Sequence, residues 1–123
     1  MKKLLRNSLI IILLFLIDLV SKIIFKDNSI INTGGVWGIL QGYNFLFILI
    51  ALIVLFVFIY IFVKNQSLGF AFFISGLAGN LFDRIFYSGV IDFIDLGFWP
   101  SFNLADVFIV IGVIICLIEM RKK

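Results

Sequence analysis

The chain contains no histidine, which removes imidazole metal ligands and the side chain most often used for acid/base work near neutral pH. It has one cysteine, Cys116, so no internal disulfide can form and the count says nothing about redox compartment. Charge is scarce too: 10 Lys+Arg and 7 Asp+Glu make up 14% of 123 residues, while 63% are hydrophobic. A soluble domain is about a quarter charged and about half apolar, so that class is excluded, in keeping with a mean hydropathy of +1.25. What the chain has instead is apolar runs, and a bilayer span needs roughly 20 such residues. At this length there is no room for a soluble module beside several spans, so residues 1–123 are expected to form a single membrane-embedded domain.

Four runs qualify, at about 4–25, 44–63, 68–86 and 104–120. The Met-Lys-Lys start followed by an apolar stretch imitates a cleavable signal peptide. No small-x-small cleavage pattern follows it, however, and Asp18 and Lys22 interrupt the part that should be apolar. The formal charge of +3 does not indicate nucleic acid, because the cations cluster at hydrophobic boundaries and act as topology signals. Lys2, Lys3 and Arg6 precede the first span, Lys64 lies between the second and third, and Arg121, Lys122 and Lys123 follow the fourth. Both termini are therefore expected on the cytoplasmic side. The connecting segments 27–43 and 87–103 have no Lys or Arg and are expected outside, with Trp37, Tyr43, Tyr87 and Trp99 in or beside them as interfacial anchors. Their Gly-rich or β-prone stretches, Ile30 to Gly35 and Val90 to Asp95, predict short strands. In the third span Gly69, Gly76 and Gly79 recur with Ser75 and Ala78, a pattern that lets a neighbouring helix come close.

With this orientation every ionisable residue acquires a depth. Asp18 lies seven residues before Phe25, about 10 Å below the outer end of its helix, and Lys22 is one turn further out on the same face. Asn80, Asp83 and Arg84 fall in the outer third of the third span, and Asp106 opens the fourth. Asn32, Asp92, Asp95 and Asn103 come from the outer segments. Polar residues from separate stretches thus meet at one depth, the outer-leaflet boundary, where intramembrane charge usually marks function. Singly, each has a plainer explanation: Asp18 with Lys22 as an i, i+4 pair, Asp83 or Asp106 as a helix cap.

The chemistry open to such a cluster is narrow. Cys116 lies near the opposite end of the fourth span and reads as a packing residue. Ser75, Ser88 and Ser101 are formal nucleophiles for a Lys22 base, but Lys22 already has a carboxylate one turn away. Asp18, Asp83, Asp92 and Asp106 are oxygen donors of the kind a hard cation takes, yet no calcium-type Asp loop occurs. Carboxylates remain. Two of them close together share one proton near neutrality, so one activates water while the other donates to a carbonyl. Asp92 and Asp106 form the best pair, with Asp83 and Asp95 as rivals. A small transporter or proton-conducting helix bundle is the alternative, since intramembrane Asp and Lys also mark ion paths. Conduction requires polar residues through the whole bilayer, and the inner halves of the four spans are almost purely apolar.

Five ordered motifs carry a resemblance: Asp18-Leu19-Val20-Ser21-Lys22; Asn32-Thr33-Gly34-Gly35-Val36-Trp37-Gly38; Gly79-Asn80-Leu81-Phe82-Asp83-Arg84; Gly89-Val90-Ile91-Asp92-Phe93; and Phe102-Asn103-Leu104-Ala105-Asp106. Together they resemble the motif set of lipoprotein signal peptidase, signal peptidase II, from Asp18 to Asp106. Leu19, Val36 and Ser75 depart from the family's usual residues, and none of these is an aspartate. The resemblance implies an aspartyl endopeptidase of the bacterial cytoplasmic membrane with its active site on the extracytoplasmic side. It would cut a prolipoprotein before a cysteine that already carries diacylglycerol. It further implies an all-α, four-helix membrane fold with a small extracytoplasmic β-cradle. Asp92 and Asp106 would be catalytic; Asp18, Lys22, Asn32, Asn80, Arg84 and Asn103 would support the site or bind substrate; Asp83 and Gly79 would be structural. The expected partners are the lipid-modified prolipoprotein and membrane lipids, with no cofactor, no metal and a monomeric state.

Overall fold

The computed structural model describes residues 1–123 as four long helices and a two-stranded sheet. Helix α1 is Lys2–Phe25, α2 Asn44–Asn65, α3 Leu68–Tyr87 and α4 Leu104–Arg121; strands β1 (Ile30–Asn32) and β2 (Val90–Asp92) lie in the two segments on one end of the bundle. The helix starts fall within two residues of the hydropathy boundaries; α1 ends at the expected residue and the other three run one or two residues further. Three of the helices, α1 to α3, are long and apolar enough to cross a membrane. Helix α4 is equally apolar in its middle but carries Asp106, Glu119 and Arg121 near its ends.

Side-chain caps mark the starts of α3 and α4. Ser67 Oγ accepts from the Phe70 N–H at the start of α3. At α4, the Asn103 side chain accepts from the Asp106 N–H at 3.0 Å, while Asp106 Oδ2 accepts from the Asn103 N–H at 3.1 Å, a reciprocal capping box. The turn between α2 and α3 is closed by Gln66 in the left-handed region (φ 55).

Helix α3 is central, packing on α1, α2 and α4. Its small residues make this approach possible: a methyl group at Gly69 would strike Cys116 and the Gly112 carbonyl, and one at Gly76 would strike the Ala105 carbonyl. The interior reverses the soluble pattern, since eight of the buried side chains are apolar and eight are polar or charged, whereas large apolar side chains cover the outside. That distribution suits a protein whose solvent is hydrocarbon, where polar groups are satisfied inside the bundle.

The strands pair antiparallel, with Ile30 opposite Asp92 and Asn32 opposite Val90. Side chains alternate across a strand, so Ile30, Asn32, Val90 and Asp92 share one face and Asn32 is the diagonal neighbour of Asp92. A further bridge, Ile94 to Phe102, draws the loop after β2 back to the start of α4. This closure brings Asp92 and Asp106 to the same end of the bundle.

Candidate active site

The polar residues converge on the sheet end of the bundle in two layers. The lower layer is a buried ion cluster. Lys22 Nζ lies 2.7 Å from Asp18 Oδ2 and 2.8 Å from Asp83 Oδ2, and all three side chains are 1% exposed. Each carboxylate also holds a neighbouring element: Asp18 Oδ1 accepts from the Ala105 N–H of α4 at 2.8 Å, and Asp83 Oδ2 from the Ile91 N–H of β2 at 3.1 Å. Asp83 Oδ1 is buried without a hydrogen-bond partner. Gly79 is required beside this cluster, because a Cβ there would run into the Asp18 carboxylate and sit 3.4 Å from the Ala105 Cβ.

The upper layer contains Asp92 and Asp106, linked by two asparagines. Asn103 Nδ2 donates to Asp92 Oδ1 and to Asn80 Oδ1, both at 3.0 Å. Asn80 Nδ2 donates to Asp106 Oδ1 at 2.9 Å, and Lys22 Nζ reaches Asn80 Oδ1 at 3.3 Å. The cation and the Asn103 amide thus fix which atom of Asn80 is the acceptor, leaving its nitrogen to face Asp106. Asp106 receives one donor on each oxygen and, as part of the capping box, is held by the start of α4 itself.

Above these groups opens a cavity of about 700 Å³, lined by Asn32, Asn80, Arg84, Asp92 and Asp106 together with apolar residues that include Trp37 and Ile109. Trp37 and Trp99 approach each other at its rim, with ring centroids 5.6 Å apart. Arg84 pins the loop after β1, donating to the Gly34 carbonyl at 2.7 Å and to Asn44 Oδ1 at 3.1 Å while lying over the Phe47 ring. The Asp92 carboxyl is pushed up from 3.8 to about 7, first by burial and then by the charge of Asp106, against the opposing effect of Asn32, Lys22 and Asn103. Two acids in one cavity, one of which retains its proton near neutrality, are equipped for paired acid/base chemistry.

Of the rival aspartates, Asp83 is committed to Lys22 and Ile91, and Asp95 is exposed in a turn, where it accepts from the Gly97 N–H. The remaining buried polar groups lie elsewhere. Ser75 donates within its own helix to the Phe72 carbonyl. At the far end, fully buried Asn7 donates to the Gln66 carbonyl at 2.8 Å, and Glu119 receives Ser67 Oγ and, at 3.1 Å, the Leu68 N–H. These contacts close the α2–α3 turn onto α1 and α4, and hydropathy does not reveal them; a lone Asn in an apolar run was the available signal. Asn44, which holds Arg84, and Gln41, which holds Asn32, were likewise missed.

A sequence model of Signal peptidase (SPase) II matches residues 10–122. A protein named Lipoprotein signal peptidase from Clostridium novyi (strain NT) is 33% identical over 110 residues, covering 80% of this chain and 74% of that protein. One of the same name from Wigglesworthia glossinidia brevipalpis is 38% identical over 144 residues, with 94% of each chain covered. Among solved structures, a bacterial membrane enzyme determined by the in meso method superposes with a TM-score of 0.84 at 30% identity, covering 95% of this chain and 88% of that one. A motif set in order, the matched length and the shared fold agree: the chain belongs to the signal peptidase II family.

Proposed function

We propose that the chain carries out the signal-peptide removal from prolipoproteins that its family membership assigns by an aspartyl mechanism, with Asp92 and Asp106 as the catalytic pair. The single domain would cross the bacterial cytoplasmic membrane four times, as a monomer among membrane lipids, with both termini cytoplasmic and the cavity open toward the outer leaflet. The observation that carries this reading is the placement of Asp92 and Asp106, from different segments, in the lining of one cavity with Asn103 bonded to both. A site at that depth suits a lipid-bearing cysteine, since acyl chains remain in the bilayer while the scissile bond reaches the carboxyls.

In the proposed reaction, Asp106 takes a proton from water as the water oxygen attacks the peptide carbonyl carbon, and Asp92 gives its proton to the carbonyl oxygen. The tetrahedral intermediate then collapses: the C–N bond breaks, the proton held by Asp106 passes to the leaving nitrogen, and one hydroxyl of the intermediate returns its proton to Asp92 as the carboxylic acid forms. Asn80 and Asn103 hold the two carboxyls in place, and Arg84 and Asn32 line the path of the substrate backbone. Lys22, with Asp18 and Asp83, supports this layer from below. Conduction has less support, because between the two polar ends the only buried polar side chain is Ser75, whose hydroxyl is spent on its own helix.

The test is cleavage of a diacylglyceryl-modified precursor in detergent or proteoliposomes. Asp92→Asn and Asp106→Asn should each reduce turnover by about 10²–10⁴-fold or more while the protein remains folded. Asp83→Asn should act through stability. Full activity in either of the first two variants removes that residue from the pair, and ion flux through liposomes that these substitutions block would favour the transporter reading.

A further inference from the structure

The loop after β1 contains a closed ring of side chains whose far end is exposed and whose near end faces Asp92. Asn32 Oδ1 accepts from the Gly34 N–H at 2.9 Å and from Gln41 Nε2 at 2.8 Å, and Asn32 Nδ2 donates to the Gly35 carbonyl at 3.1 Å. Gln41 is fixed in turn: its Oε1 accepts from Thr33 Oγ1 at 2.6 Å and from the Thr33 N–H at 3.2 Å, and Thr33 Oγ1 accepts from the Gly42 N–H at 2.9 Å. A carboxamide that turns over exchanges donor for acceptor. Turning Gln41 would set its NH₂ against the Thr33 N–H; turning Asn32 would set its NH₂ against both Gln41 Nε2 and the Gly34 N–H. Neither amide can reverse while the other stands.

We propose that Gln41 is a positioning residue for the peptidase reaction: it locks the Asn32 amide with its nitrogen toward Asp92 and so sets the pH at which the aspartyl pair loses its shared proton. The strand register supports this, because Asn32 and Asp92 are diagonal neighbours on one sheet face and line the same cavity, where the Asn32 side chain favours the ionised form of Asp92. A donor on a carboxyl favours its ionised form and an acceptor favours its protonated form, so the Asn32 orientation has a definite sign. The other charged groups facing Asp92 are Asp106 of α4, Arg84 of α3 and Lys22 of α1. None of them is hydrogen-bonded to Gln41; Arg84 holds the Gly34 carbonyl of the same loop, and an Asn32→Leu background separates that route from the one through Asn32.

The inference rests on the aspartyl reading above, and its test separates the two. Carboxyl carbon NMR of aspartate-labelled enzyme follows Asp92 directly, assigned by the signal lost in Asp92→Asn. Gln41→Leu removes one of the two donors that hold Asn32 Oδ1 and leaves only the Gly34 N–H on that atom. Gln41→Glu keeps the acceptor for Thr33 but offers Asn32 Oδ1 no donor, which favours the reversed amide. Both variants should raise the Asp92 midpoint by about half to one pH unit and move the alkaline limb of kcat/KM upward by the same amount. In an Asn32→Leu background, Gln41→Leu should produce no further shift of the midpoint. If Asp92 titrates at the parent midpoint in both Gln41 variants, or if Gln41→Leu shifts it equally without Asn32, the inference is overturned, whatever the activity. If the midpoint moves but Asp92→Asn retains cleavage, the aspartyl reading fails and the coupling stands.

Discussion

Replacing Lys22 by Met removes the one cation between Asp18 and Asp83 while keeping most of the side-chain volume. Lys22 is 1% exposed and its ammonium lies 2.7 and 2.8 Å from the two carboxylates. Without it, two buried anions face each other, and breaking a buried pair in this way costs about 3–5 kcal/mol. That is a large part of a typical folding stability of roughly 5–15 kcal/mol. Unfolding can be followed with a thiol-reactive fluorogenic dye, because Cys116 is the only thiol and is partly buried. Lys22→Met should melt far below the parent. The combined variant Asp18→Asn, Lys22→Met, Asp83→Asn should recover most of the loss, since an amide oxygen can still accept from the Ala105 and Ile91 N–H groups and no charge is left buried. A Lys22→Met melting curve superimposed on the parent's, or a triple variant less stable than the single one, would refute the view that the cluster is held by charge compensation.

Two further outcomes follow from the same geometry. The Asp92 carboxyl is raised from 3.8 to about 7, so its stabilising contribution is complete below the lower value and is lost as pH rises through the upper one. Asp92→Asn, which cannot ionise, should therefore gain stability over the parent between pH 4 and 7 and hold the gain above that. The ceiling is roughly 4 kcal/mol, reduced to about 1–2 kcal/mol by solvent in the cavity; a pH-independent difference in the dye assay would contradict it. Gly79→Ala places a methyl group on the Asp18 carboxylate and should destabilise by about 1–3 kcal/mol, visible as an earlier Cys116 reaction on heating.

Much of the fold was legible because hydrocarbon imposes a coarse rule. Long apolar runs set the helices to within one or two residues, and the β-prone connecting segments contain the two strands. That Asp18, Asn80, Asp83 and Asp106 lie toward the same end of the bundle as Asp92 followed from their positions along the helices. The connections among them were not legible. Which atom of the Asn80 amide faces Lys22, or that Asn7 reaches a carbonyl 59 positions away, depends on helix rotation and close packing, which periodicity constrains weakly in helices apolar on all sides. Gln41 and Asn44 were hidden for another reason: an amide in a loop or at a helix start looks like solvated surface until its partner is folded against it. The five motifs pointed to the correct family, but they do not include these two side chains.

Asp106 stands in the first turn of α4 and closes that helix's own start. One half of the proposed pair is therefore tied to the bundle, and a rotamer change there would open the capping box at the start of α4. Its counterpart sits on a three-residue strand beside a loop that water can reach. Evolution, or an engineer wanting a different pH response or a wider mouth, has one partner free to adjust. Drift should therefore collect on the strand side, while the helix side serves as the fixed reference.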